Sequence, residues 1–278
     1  MQRKAIFGTA VSFFATEMTK IVTLTTDWTN SDYYIGAVKA SILSAVPETV
    51  FVDISHNIEH FNWQQAGFVL GSIVDNFPDG TIHIIGVDSE PDDNTKIIVA
   101  QYHRQYFICT DNGTLGIIFK STPECTVAFD MESGSEDCVF MEKNVFAEIA
   151  KFILQGNDIT LIGEKIEDVT RFTDAEPMTS ARGLLGTIVY IDSYGNAISN
   201  ISREKFDSII GENKFEILLN THSHKVNKIC TTYKEVEIAE IVCIFNSIGL
   251  LEIAIRSGSA KNLLGLRHDS QIRIDIIK

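Results

Sequence analysis

The sequence is poor in positive charge: 23 lysines and arginines stand against 37 aspartates and glutamates, a formal net charge of −14. Nucleic-acid binding draws on clustered cations that release counterions, so no nucleic-acid partner is expected. The same deficit leaves a small cationic ligand open. Cysteine is scarce too. Cys109, Cys125, Cys138, Cys230 and Cys243 are five in number, scattered, and never spaced as CxxC. That argues against a disulfide framework or a zinc site and points to a reducing, cytoplasmic compartment. No stretch reaches the roughly 18–20 apolar residues that cross a bilayer, so no membrane partner is expected. GxGxxG, GxxxxGK(S/T) and GxSxG are all missing. Their absence sets aside dinucleotide-binding Rossmann, P-loop and α/β-hydrolase readings.

What is present is enough apolar residue, 45% of 278, to bury a core without metals or disulfides. Arg3 and Lys4 precede an apolar run from Ala5 to Ala15 that loosely mimics a signal peptide. Met18, leading directly into a strand at Ile21, is the more natural start, and residues 1–17 read as an extension.

From there the chain alternates. Ile21–Thr25, Val50–Ile54 and Thr81–Asp88 read as strands. Tyr34, Val38, Ile42 and Val46 recur at helical spacing until Pro47, and a second helix runs from about Asn62 to Asn76. Lys96–His103 with Gln105–Thr110 predicts a hairpin, and Val145–Leu154 a last helix. The expectation is an α/β domain over residues 18–175 with a mixed, mainly parallel sheet. A polar stretch, Arg171–Gly183, separates it from a region of period two. Leu185–Asp192, Ala197–Ile201, Phe215–Leu219, Lys225–Ile229, Ile238–Phe245, Leu251–Ile255 and Ile272–Ile277 predict an all-β, barrel-like domain over residues 184–278.

In open α/β sheets ligands gather beyond the carboxyl ends of the strands. Asp27, Ser55-His56 and Asp88 follow three such strands. A carboxylate there can accept both hydroxyl protons of a ribose, or Asp27 and Asp32 can simply cap a turn or helix. The acidic run Asp88–Asp93 lacks the glycine of a calcium loop, so a solvated loop is the better reading. His56 and His60 straddle the start of a helix and need not share a face, while His222 and His224 fall at a hairpin tip; no metal is expected. Asp192, Tyr194 and Asn196 offer an acceptor, a ring and an amide suited to a purine and its sugar, or else ordinary turn chemistry.

Taken in order, Thr23-Leu-Thr-Thr-Asp-Trp28 with Asp32, Val52-Asp-Ile-Ser-His56, Asp111-Asn-Gly113, Ile191-Asp-Ser-Tyr-Gly-Asn196 and Asn246-Ser-Ile-Gly-Leu-Leu-Glu-Ile-Ala254 form a set. The set resembles the S-adenosyl-L-methionine (SAM) hydrolases, or hydroxide adenosyltransferases, relatives of the fluorinases and chlorinases. The resemblance implies an N-terminal α/β domain, a C-terminal β-barrel, and a homotrimer holding each ligand between neighbouring subunits. It implies Asp27 on the ribose hydroxyls, with Asp32 in the same motif, and Phe61 near the sugar and sulfonium. Asp192, Tyr194, Asn196 and Ser247 would surround the methionine end or the adenine, and Glu252 would meet the ammonium. SAM is then substrate or ligand, and no separate cofactor is implied.

The implied reaction is displacement at ribose C5′, with methionine leaving as a neutral thioether and water held by an Asp, an Arg and a His. Asp88 fits the Asp. The family's Arg position holds Thr95, beside Lys96. Where the family reads Phe-His-Gly-Arg-Asp, this chain has Phe140-Met-Glu-Lys-Asn144, so Met141 replaces the His. Neither replacement supplies a charge or an imidazole; Lys96, Lys143 or Glu142 are candidates to compensate. Three outcomes are open: hydrolysis of SAM to adenosine and methionine, a silent SAM- or adenosine-binding protein, or transfer to another nucleophile such as halide.

Overall fold

The computed structural model describes residues 20–90, 96–129, 139–171, 176–180, 182–219 and 225–277. The proposed extension, residues 1–17, lies outside them, as do Asp92, Asp93, Thr95, Cys138, His222 and His224. The chain divides into two compact units, the first ending at Arg171, inside the polar stretch.

The first unit is a mixed sheet covered on both faces. β1 (Ile21–Thr26) lies between β2 (Val50–Ser55) and β3 (Ile82–Gly86), parallel to each. Beyond β3 come β5 (Gln105–Thr110), β4 (Ile97–Tyr102), β6 (Cys125–Phe129) and the two-residue β7 (Glu164–Lys165), giving the order β2-β1-β3-β5-β4-β6-β7. The ladders of β1 with β2, β1 with β3 and β3 with β5 are parallel; those from β5 to β7 are antiparallel. The expected hairpin is the point at which the sheet changes direction.

Alternation along the strands sorts side chains between two cores. Val22, Leu24, Ile84, Ile97, Val99 and Ile108 pack with α1 (Tyr34–Ala45) and α4 (Ala147–Leu154). Ile85, Ile98, Ala100, Phe107 and Cys109 pack with α2 (Trp63–Gly71) and the short α3 (Thr114–Ile118). Because both faces are covered, β3 is buried along its whole length, which is why it reads as an unbroken apolar run. Asn62 caps α2, its side chain accepting from the Gln65 amide at 2.9 Å. That helix stops sooner than its periodicity suggests: Gly71 and Ser72 end it, and a 3₁₀ turn, Val74–Asn76, completes the segment. One polar network is threaded through the core. His83 Nε2 donates to Gln105 Oε1 at 2.8 Å and its Nδ1 accepts from Thr23 Oγ1 at 2.7 Å. The Gln105 amide donates in turn to the carbonyls of Val74 and Phe77, which fixes its orientation and hence the histidine tautomer. Burial holds His83 down at about 4.

The second unit is a nearly closed antiparallel, barrel-like sheet. A short β8 (Met178–Ser180) pairs with β9 (Gly183–Ile191). The main order is β12 (Lys225–Val226), β11 (Lys214–Leu219), β15 (Gln271–Ile277), β9, β10 (Ala197–Ser202), β14 (Leu250–Ile255) and β13 (Ile241–Phe245). Alternate residues such as Leu184, Ile188, Ile217, Leu251, Ile253, Ile272 and Ile274 fill its interior. Two helices interrupt the strands that the period-two pattern predicts. In α5 (Arg203–Ile210), Ser202 caps the Lys205 amide and Phe206 and Ile210, one turn apart, are buried. In α6 (Ala260–Leu264), Ser259 caps Asn262. Two predicted strands are shorter: Lys225–Ile229 pairs only over its first two residues, and Ile238 is exposed ahead of Ala239, whose positive φ of 69° interrupts the extended conformation. Among the described residues no helix is long and apolar enough to cross a membrane.

Candidate functional site

β1, β2 and β3 run parallel, so their carboxyl ends share one edge of the sheet, and the chemistry collects there. Loops after β1 and β2 are tied together by the Thr29 amide donating to the His56 carbonyl at 2.7 Å and that of Ile58 to Thr26 at 3.3 Å. Asp27, directly after β1, is 8% exposed, and its Oδ2 accepts the Phe61 amide at 2.9 Å. Phe61 is held at φ 63°, an unusual setting for an aromatic residue, and its ring stands 66% exposed. The carboxylate thus fixes a strained loop through one oxygen; its other oxygen has no donor among the described residues.

An open cleft of about 290 Å³ lies at this edge, lined by Asp27, Asp32, Phe61, Asp88 and Met141 among others. Four of the residues expected to bind or act on the ligand therefore meet in one place. The sequence did not single out the aromatic wall. Trp28 and Phe140 pack edge to face with centroids 5.7 Å apart, and Tyr34 lies 5.2 Å from Phe140. His60 and Glu90 also reach the cleft. His56 does not: it is buried, bonded to Thr26 Oγ1 at 2.7 Å and 3.2 Å from Asp53, and burial lowers its pKa. Lys39 holds the other oxygen of Asp53 at 2.6 Å.

Asp88 follows β3 at φ 50°, exposed at the rim. Its carbonyl accepts from Thr110 Oγ1 at 3.1 Å, and the Asn112 amide reaches the carbonyls of Val87 at 3.0 Å and Asp88 at 3.4 Å. The Asp111-Asn-Gly113 turn is therefore a support for Asp88. Burial, then Asp27, then Glu90, raise the Asp88 pKa.

Opposite, Met141 and Glu142 are both buried where a π-helical turn, Glu142–Phe146, opens α4. The Glu142 side chain lies on Gly86, where any Cβ would stand 2.9 Å from Glu142 Cγ and 2.9 Å from Trp28 Cζ2. Burial raises its pKa most; Asp27 and Glu90 add to that, while its own backbone amide and the adjacent Ser89 hydroxyl oppose it. The other two candidates to compensate do not line the cleft. Lys96 is exposed, and the exposed Lys143 directs its ammonium to Asn144 Oδ1 at 3.4 Å. Thr95 lies outside the described residues. Asp27, Asp32, Asp88, Glu90 and Glu142 all line the cleft, and no lysine or arginine among the described residues does.

In the second unit, Asp192 closes its own turn. Oδ1 accepts from the amides of Tyr194 at 2.9 Å and Asn196 at 2.8 Å, and Oδ2 from the Asn196 side chain at 3.0 Å. Gly195 (φ 80°) is required, since a Cβ would fall 2.1 Å from Ser259 Oγ. Tyr194 projects 78% exposed. Glu252, on β14, is buried and accepts the Tyr233 hydroxyl at 2.7 Å. Burial and Asp192 raise its pKa. Tyr233 is a partner the sequence did not reveal. Ser247 stands exposed on the turn between β13 and β14, and among the described residues no hydrogen bond joins it to the others.

The SAM hydroxide adenosyltransferase N-terminal domain matches residues 22–163, and the corresponding C-terminal domain matches residues 186–273. The chain belongs to this family. Among its relatives, the (R)-S-adenosyl-L-methionine hydrolase of Methanocaldococcus jannaschii is 26% identical, over 91% of this chain and 95% of its own length. The enzyme of that name from Thermus thermophilus is 24% identical, over 89% and 96%. In fold, an uncharacterized conserved protein from Thermotoga maritima matches at TM-score 0.82 and 24% identity, covering 92% of this chain and 99% of its own. A conserved hypothetical protein from Thermus thermophilus matches at 0.74 and 23%, with coverage of 92% and 99%. The acid-rich cleft of this chain carries Met141 and Glu142 on its wall.

Proposed function

We propose that this chain binds SAM and hydrolyses it to adenosine and L-methionine by attack of water at ribose C5′. The observation that carries the reading is the cleft in which Asp27, Asp88 and Glu142 converge with an aromatic wall. The Asp27 oxygen that meets no donor among the described residues is suited to a ribose hydroxyl, and Phe61 and Trp28 to the flat and sulfonium-bearing parts of the ligand. SAM carries a sulfonium, and a cleft walled by carboxylates attracts such a cation.

Water attacks C5′ as the C5′–S bond breaks, with the bonding pair going to sulfur. Positive charge passes from sulfur to the attacking oxygen, so the anionic surroundings favour the reacting complex throughout. Asp88, at the rim, orients the water, and alignment is the larger part of what the reaction requires. A halide would enter against the charge of five carboxylates, which disfavours transfer to an anion.

Incubating purified protein with SAM and following adenosine and methionine by chromatography tests the reading; no adenosine above the spontaneous rate rejects it. The second reading, a silent binding protein, is favoured by Met141 at the family's His position and predicts calorimetric binding without product. The homotrimer and the cytoplasmic location belong to the same proposal. The first is checked by sedimentation, where a mass of three chains is expected; the second is supported by the scattered, unbridged Cys109, Cys125, Cys230 and Cys243.

A further inference from the structure

We infer that Glu142 is the general base of this cleft, accepting the proton from the attacking water. The inference rests on the hydrolase reading and deepens it. Attack by neutral water leaves an oxonium, R–OH₂⁺, which must lose a proton to become the adenosine hydroxyl. One O–C5′ bond forms, the C5′–S bond breaks with its pair to sulfur, and the proton passes to the Glu142 carboxylate and then to solvent. A preformed hydroxide is disfavoured in this cleft, because Asp27, Asp32, Asp88, Glu90 and Glu142 line it and no lysine or arginine among the described residues does.

Two geometric facts single out Glu142. Its side chain, 7% exposed, lines the cleft and is seated on Gly86, whose missing Cβ makes the space for it. It opens a π-helical turn, an insertion that re-aims side chains and gathers at functional sites. The titratable groups facing it are Asp27 after β1, Asp32 and Tyr34 at the start of α1, His60 after β2, and Asp88 and Glu90 after β3. Burial and its anionic neighbours make Glu142 a stronger base than a solvated carboxylate.

The test is Glu142→Gln, which keeps the shape and removes the base. Expected is a fall in kcat of about 10²-fold or more with SAM affinity by calorimetry changed less than about threefold. The wild-type profile of kcat/KM against pH falls on acidification through a pKa above the ordinary glutamate value, and this limb disappears in E142Q. Glu142→Ala supplies a second arm: formate restores turnover in a concentration-dependent way if a carboxylate base is what was lost. Folded E142Q with wild-type turnover overturns the inference, as does loss of binding without loss of kcat, or an acidic limb that persists and so belongs to another group. Wild-type protein that forms no adenosine overturns the hydrolase reading itself and this inference with it, and is told apart by its own assay.

Discussion

Asp27 and Asp192 each follow a strand and each sit beside a tight turn, yet the two units use them differently. In the second unit both oxygens of Asp192 are occupied by the amides of Tyr194 and Asn196 and the Asn196 side chain. In the first, Asp27 holds one amide, that of Phe61, and faces a cleft crowded with further carboxylates. A carboxylate saturated by its own turn builds structure. One with an oxygen that meets no donor among the described residues, set among further carboxylates, is open to a cationic ligand.

The largest effect expected from this contrast is on binding. Asp27→Ala removes charge-assisted hydrogen bonds of about 1.5–3 kcal/mol each, so SAM affinity should fall by about 10³-fold by calorimetry. An unchanged affinity would mean that Asp27 only caps the Phe61 loop, and the contrast would collapse. Next is an acid instability of the first unit, whose His83 network is saturated like the Asp192 turn but contains a titratable member. The folded pKa of His83, about 4, lies below its unfolded value, so the unfolded chain binds the proton more readily. This contribution is complete above about pH 6.5 and is lost as pH falls from there to about 4, a total of about 3 kcal/mol. Denaturation midpoints across that window should decline, and His83→Gln should flatten the slope.

Asp192→Ala should cost about 2 kcal/mol of stability, because the Tyr194 and Asn196 amides lose their acceptor. If its thermal midpoint is unchanged while SAM binding is lost, Asp192 belongs with Asp27 as a ligand group. The smallest effect is at Tyr233→Phe, which removes the hydroxyl that donates to buried Glu252; about 1 kcal/mol is expected in urea denaturation, with the Glu252 pKa moving further up.

Much of this was legible in the sequence. Val38 and Ile42 at helical spacing, the unbroken β3 and the hairpin β4–β5 announced a layered α/β unit, because burial on two faces leaves a plain apolar signature. Helices α5 and α6 were missed: Phe206 and Ile210 give only two buried positions within a run of strands, too short for a period to declare itself. The cleft divided in the same way. Asp27 and Asp32 lie in a motif at a strand end, Asp88 follows another strand, and Phe61 came from the family resemblance; all four line the one cleft. Tyr34 and Phe140 were seen only as helix periodicity and as the residue before Met141, since nothing local shows that rings so far apart in the chain share a wall. The Asp192 turn was read as ligand chemistry or turn chemistry, and the hydrogen bonds found there are those of a turn.

The sequence alone determined the family and the succession of strands and helices from β1 to β5, matters of residue identity and spacing. The tertiary structure decided which neighbouring group reaches the cleft. Lys96, Lys143 and Glu142 were equal candidates on paper; a π-helical turn and the bare backbone of Gly86 bring Glu142 inward, while the two lysines remain exposed in water. Direction and burial are properties of the packed chain, and they set both the charge of the cleft and the basicity of the group within it.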